Sequence, residues 1–557
     1  MTRTSRIAPA DIRHFVLTGY VLLLIAMLLV LPRVAAAQSL SEQAEAAYYA
    51  GDFVRSADLY LQAIESGDTD PALPVNAACA LALSGQGDAA MAQLRTAIDH
   101  GFFDTNELRR DPDLESLRSR PDWNSLLEKA AEARRLENKR WSDKAFGTSY
   151  RTTLNDTEKQ AGLALIWAEA RYGFANFDLA PDELDWNARY IEFIPRVVAA
   201  KTTIDYYWQL KAFISGLHDG HSSVSFPPEV RNGLYGRPAL RTERVGDAVV
   251  VTRVIDASLP VHVGDVIRSI DGQPVDEYAE SRVAPYVSYS TPQDRAVRVY
   301  DYDLLYGPTA RTVRLELVNA DGNARTVTVP RKGVDGSQRN SAPPFELHWE
   351  PNDVAYVRLN SFGSMDAADL WHEHYDAIRQ RARGIVLDVR ANGGGSTGVG
   401  YAILADLIDH ANQTSSSELT VYRSTLRAWG FGQRRDALQI SNVAPSSRPR
   451  FAGPVAVLIG PHTYSAAEDF VVAFDMADRG VLIGMPTGGS TGQPLAFPLP
   501  GGGSARVCTK RDRYADGREF VGVGEQPDIE VERTLTSIRS GKDPVLARAL
   551  SWIKDQH

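Results

Sequence analysis

The stretch PHTYSAAEDF, residues 461–470, follows the apolar run Val455–Ile459 and leads into a segment of helical character. It puts Ser465 at a strand-to-helix turn, where free backbone N–H groups face any negative charge that develops nearby. Such a turn suits a nucleophilic hydroxyl, provided that another group takes its proton. Upstream, GIVLDVRANGGGSTG (384–398) is an apolar strand running into Gly393, Gly394 and Gly395. Consecutive glycines allow close backbone approach and unusual dihedrals, which frees an N–H to point into a site. The same loop would suit a plain strand exit or a phosphate cradle, but no Gly-x-x-x-x-Gly-Lys-Ser/Thr pattern accompanies it. His372 and His374 read His-Glu-His rather than His-Glu-x-x-His, so the common zinc pattern is missing. No catalytic metal and no other cofactor is expected.

These residues need a scaffold, and the chain divides by the period of its apolar residues. In the segment 38–136, Gly51 recurs as Gly85, Ala63 and Ile64 recur as Ala97 and Ile98, and Tyr60 recurs as Leu94. This constant interval is that of two-helix tetratricopeptide repeats. Two such units either cap the next domain or hold a protein partner, and DPDLESLRSRPDWNSLL supplies a closing helix. Residues 140–232 read as an aromatic-rich helical subdomain ending in a loop at Asp219–Ser223. Between 236 and 335 the period falls to two, as in AVVVTRVID and RTVRLELVNADGNARTVTVP, which predicts a small β domain. From 340 to 540, strands such as VAYVRLN, GIVLDVR and PVAVLIG alternate with helical stretches, which predicts an α/β core. The fold class is thus multidomain α+β.

The whole chain fits that division. At 557 residues it exceeds a single hydrophobic core, and about three to five domains are expected. A formal charge of -10 offers no basic field for phosphates, which excludes nucleic acid as the main partner. Cys79 and Cys508 fall in different segments and read as buried thiols rather than a disulfide or metal pair. At the N-terminus, Arg3, Arg6 and Arg13 precede the apolar run 15–31, with Ala35 and Ala37 after it. Residues 1–37 therefore read as a signal peptide, and the alternative is an uncleaved inner-membrane anchor. Either way the chain is expected to be exported, to the periplasm or the exterior.

Four motifs in order, VLDVRANGGG, YSAAEDF, GMPTGGSTGQP and GVGEQPDIEV, resemble the tail-specific, or C-terminal processing, serine protease family. VHVGDVIRSIDGQPV resembles the PDZ domain that this family carries, and the likeness covers roughly residues 145–535. It implies a core of the ClpP/crotonase type, with Ser465, at the head of the SAAE motif that ends in Glu468, as nucleophile. Many members pair that serine with a lysine further along the chain, at the place held here by Ser490. The tricorn-like branch uses a distant histidine instead, and LHDGHSS resembles its motif, matching the histidine to His221. Imidazole titrates near neutrality, so it suits proton transfer from a hydroxyl. His462, just before Ser465 in the chain, is the rival base.

For the acceptor that orients His221, the branch implies a glutamate at the place held here by Val521. Glu519, the next position on the same face of an extended strand, is the substitute; Asp219 and Ser222 are alternatives. The resemblance implies oxyanion donors at the N–H groups of Gly394 and Ala466. It also implies that the PDZ-like domain binds a substrate's terminal carboxylate through N–H groups at Val263, Gly264 and Asp265, adding the peptide as a strand. Protein or peptide substrates follow, cut by an exported serine endopeptidase. The alternative is a binding protein on the same fold that does not cut.

Overall fold

The computed structural model describes residues 40–49, 51–68, 70–332 and 342–557. The expected signal segment, 1–37, lies outside the described residues. Among the described residues, no helix is long and apolar enough to cross a membrane. The chain forms two compact units, one of residues up to Leu94 with Asp113–Leu117, the other holding Arg95–Pro112 and Arg118–His557.

In the first unit, helices Leu40–Tyr49, Phe53–Glu65 and Leu73–Leu83 follow one another, and Gly87–Asp99 begins there. Gly51 and Gly85, 34 positions apart, both follow helices at positive φ, +77° and +80°. Tyr60 and Leu94, at the same spacing, are both buried.

The second unit is built on a six-stranded sheet with the order Ile529–Glu530, Val481–Gly484, Val455–Ile459, Gly384–Asp388, Val354–Leu359 and Phe345–Glu350. All neighbours are parallel except the last pair. Both faces are covered, so the central strands read as continuous apolar runs rather than alternating ones. Ile385, Leu387, Val455, Val457 and Ile459 pack with helices Asp366–Arg381, Thr397–Leu404 and Ala466–Met476. Val386, Ala456 and Leu458 face Val545, Ala549 and Ile553 of the C-terminal helix Pro544–Asp555. Ser465 therefore stands where a central strand leaves the sheet, at the C-terminal edge that α/β folds use for ligands.

The β domain is an antiparallel sheet in sequence order: Leu240–Val245, Ala248–Val254, Val266–Ile270, Thr312–Val318 and Ala324–Pro330. The helical subdomain stacks Asp156–Gly173, Trp186–Ala199 and Thr203–Ile214 around Tyr206, Tyr207 and Phe213. Its boundary in sequence is not its boundary in space. Ser223–Ser225 pairs with Ser504–Cys508, and Phe497, Leu499 and Val507 complete the helical core. That pairing carries the loop holding His221 to the core, although the whole β domain intervenes in the chain.

Candidate active site

Ser465 has φ 57° and ψ -129°, a sparsely populated conformation for a residue with a side chain. The turn is held from several sides. The Ser465 N–H donates to the Ser490 carbonyl (3.1 Å) and to Glu468 Oε2 (3.1 Å). The Tyr464 N–H donates to the Asn392 carbonyl (3.0 Å). Helix Ala466–Met476 starts immediately after, so Ala466 presents its N–H at a helix N-terminus.

The structure brings His221 to this turn: Nε2 is 3.2 Å from Ser465 Oγ, and Nδ1 is 2.8 Å from Ser490 Oγ. Its ring stacks on Tyr464, with centroids 5.1 Å apart and planes inclined by 18°. Burial, and then the charges of Arg506, Arg298 and Lys510, push the His221 pKa down to about 3. The imidazole is neutral at physiological pH. In the tautomer protonated at Nδ1, Nε2 accepts from the Ser465 hydroxyl and Nδ1–H donates to Ser490 Oγ. The loop carrying His221 is fixed by Ser222 Oγ, which accepts the Cys508 N–H (3.1 Å), and by Asp219, which accepts from Asn176 (3.2 Å).

Glu519 does not fill the orienting role: its carboxylate is 3.1 Å from Arg511 and 3.0 Å from Arg513. Two nearby guanidinium groups hold it as an ion pair, away from the imidazole. Asp219 and Ser222 brace the loop rather than the ring. His462 turns to Asp301, with Nε2 3.1 Å from Oδ2. Ser490, the residue that sequence reasoning missed, occupies the orienting position. Its only signal was its place, at the spacing where other members of the resembling family carry lysine.

Beneath these residues lies Glu468, fully buried. It accepts the N–H groups of Ser465, Gly489 (2.6 Å) and Ser490 (2.9 Å) and the Thr487 hydroxyl (2.5 Å). One carboxylate thus fixes both the nucleophile turn and the Ser490 loop. Burial raises its pKa to about 7, against the pull of the four donors.

Two further expectations meet corrections. The Gly394 N–H donates to Asn392 Oδ1 (2.9 Å), so it is occupied rather than facing an oxyanion site. Gly394 itself is required: at φ +92°, a Cβ would lie 2.6 Å from the Tyr464 carbonyl. In the β domain, the Gly264 N–H donates to the Val251 carbonyl (2.8 Å) and the Asp265 N–H to the His262 carbonyl (3.1 Å). Asp265 is buried on the His262 N–H and Arg325, and the side chain of Arg539 sits against Gly264. That turn has no open cradle for a carboxylate; Val263, exposed, lines a neighbouring cleft.

A strand-exit serine at a helix N-terminus, hydrogen-bonded to a buried neutral histidine, is an arrangement that suits serine-type hydrolysis. Residues 353–531 match the family model Peptidase family S41, a match that supports a serine-type peptidase. The chloroplastic C-terminal processing peptidase of Tetradesmus obliquus is 25% identical over 282 residues, 48% of this chain and 53% of that protein. The chloroplastic carboxyl-terminal-processing peptidase 3 of Arabidopsis thaliana is 23% identical over 393 residues, 67% of this chain and 69% of that protein. The chain thus spans about half to two thirds of the length of these relatives. The structure of mature CPAF complexed with lactacystin shares the fold, with a TM-score of 0.58 at 14% identity over 72% of this chain and 98% of that one.

Proposed function

We propose that the chain is an exported serine endopeptidase that cuts peptide bonds through an acyl-enzyme on Ser465. The observation that carries this is the hydrogen-bonded line Ser465 Oγ, His221 Nε2, His221 Nδ1, Ser490 Oγ. In the first step Ser465 Oγ attacks the scissile carbonyl and its proton passes to His221 Nε2. The imidazolium then protonates the departing amine, and water attacks the ester by the reverse transfers. The Ala466 N–H at the helix N-terminus faces the charge that develops on the carbonyl oxygen. Ser490 Oγ accepts the Nδ1–H and so sets the angle of the ring, in the place that a carboxylate fills in other serine peptidases.

Substrate capture is assigned to the cleft beside the β domain in place of the turn at Val263–Asp265. This cleft has a volume of about 750 Å³ and runs from the edge strand at Arg241–Val245 to Gly393 and His462. An edge strand offers backbone groups for strand addition. Arg241 Nη1 is buried there without a hydrogen-bond partner, which suits a carboxylate at the end of a peptide.

The reading is tested by incubating the purified protein with an unstructured polypeptide, with a free or an amidated C-terminus, and following cleavage by mass spectrometry. Cleavage that Ser465→Ala and His221→Ala abolish, and that Arg241→Ala weakens only for the free terminus, is the expected result. Binding of the polypeptide with no cleavage by the wild type would assign the fold to binding instead.

A further inference from the structure

The strands Asn412–Val421 and Arg434–Val443 form a long hairpin whose pairing continues to Val421 and Arg434. The third strand of that sheet, Lys510–Tyr514, pairs only with Ser415–Leu419. The hairpin therefore runs past the third strand of its sheet to a tip at residues 422–433. It reads YRSTLRAWGFGQ, with Arg423 and Arg427 and no acidic residue. Trp429 and Phe431 are 68% and 63% exposed, the two highest values for large apolar side chains among the described residues. Part of the tip's backbone is paired within it: the N–H groups of Trp429 and Phe431 donate to the Leu426 carbonyl (3.0 Å each) and that of Gly430 to Arg427 (3.1 Å).

Neighbouring groups continue this character. Tyr422 packs on Tyr172, itself 43% exposed, at 4.8 Å. The nearby carboxylates are engaged: Asp178 pairs with Arg435 and Arg511, and Glu418 with Arg513. No carboxylate pairs with Arg423 or Arg427 among the described residues, and Arg427 hydrogen-bonds the Tyr422 hydroxyl.

We propose that this hairpin tip is a docking site for an anionic lipid surface. Exposed Trp and Phe belong at the boundary between acyl chains and headgroups, where Tyr is also favoured. Arginines beside them that no carboxylate neutralises would meet anionic headgroups. The N–H groups of Trp429, Gly430 and Phe431, beside the exposed rings, are already paired, which lowers the cost of placing those rings in that layer. A protein partner would more commonly need a flatter, larger apolar face. The site is separate from the Ser465 turn, so docking would orient the peptidase at a membrane without changing its chemistry.

The test places a reporter at the tip of the full chain: Gln433→Cys, labelled with an environment-sensitive fluorophore, with wild type labelled in parallel as the control for Cys79 and Cys508, both buried. Vesicles of phosphatidylcholine, with or without phosphatidylglycerol, are then added. The expected result is a rise in fluorescence with the anionic vesicles only, reduced by high salt. Arg423→Ser with Arg427→Ser should weaken it about tenfold or more, and Trp429→Ser with Phe431→Ser should remove it. Cleavage of a soluble peptide should be unchanged in both. No rise with anionic vesicles, or an equal rise with neutral ones, would overturn the proposal. So would a rise with protein concentration alone, which would make a second copy the occupant. Because the reporter sits at the tip, attachment through the N-terminal apolar run would not imitate the signal.

Discussion

At the residue scale, the proposed reaction rests on two contacts of His221, one to Ser465 Oγ and one to the hydroxyl of Ser490. Ser490→Ala removes that acceptor and leaves a buried Nδ1–H unpaired, at a cost of about 1–3 kcal/mol. The rate constant for peptide cleavage should fall about 5- to 150-fold, while Ser490→Thr retains part of it. Equal kcat/KM in Ser490→Ala and wild type would remove Ser490 from the mechanism. The glycine of LHDGHSS has a steric reason: a Cβ on Gly220 would lie 2.1 Å from the Tyr464 hydroxyl and 2.8 Å from Arg298 and Asp294. Gly220→Ala should displace His221 and lower activity by more than about tenfold, with secondary structure by circular dichroism unchanged. Ser465 and His221 were legible because each sits in a motif. Ser490 was not, because an orienting hydroxyl has no signature of its own and becomes visible only once the ring it faces is placed.

At the scale of elements, three loops meet: the end of the helical subdomain at His221, the strand exit at Ser465 and the turn at Ser490. The strand exit was readable from an apolar run ended by a helix start, and the glycine run from composition. Glu519 was misread because alternation along a strand places it on a face but cannot show that Arg511 and Arg513 stand there too. The turn at Val263–Asp265 was misread for a like reason, since alternation does not show that the carbonyls of Val251 and His262 take its N–H groups. The loop environment also sets a pH dependence. His221 refuses a proton down to about pH 3, whereas an unfolded histidine takes one near pH 6.5. Between those values the unfolded state binds more protons, so this group lowers stability as pH falls. The urea midpoint of the wild type should therefore drop more between pH 7 and pH 5 than that of His221→Gln. An equal drop would show that the imidazole is accessible to protons in the folded state.

For the whole molecule, the α/β core and the β domain follow from periodicity. What periodicity could not show is how the β domain reaches back to the site. Thr291 Oγ1 donates to the Gly488 carbonyl (2.9 Å), and Gln293 Nε2 to Thr487 (2.9 Å) and Val523 (2.7 Å). The Gly220 N–H donates to Ser290 Oγ (2.9 Å). The β domain thus holds both the base loop and the Ser490 turn. Thr291→Ala with Gln293→Ala should reduce cleavage about tenfold with little change in thermal midpoint. An equal loss of activity and of midpoint would mean that these bonds serve folding alone.

The central claim, a serine made nucleophilic by a histidine from another subdomain, is tested most directly with a fluorophosphonate probe at neutral pH. The account predicts a covalent adduct on the peptide containing Ser465, absent in Ser465→Ala, lost in His221→Ala and retained in His462→Ala. Labelling that survives Ser465→Ala, or that disappears with His462→Ala and not with His221→Ala, would contradict it.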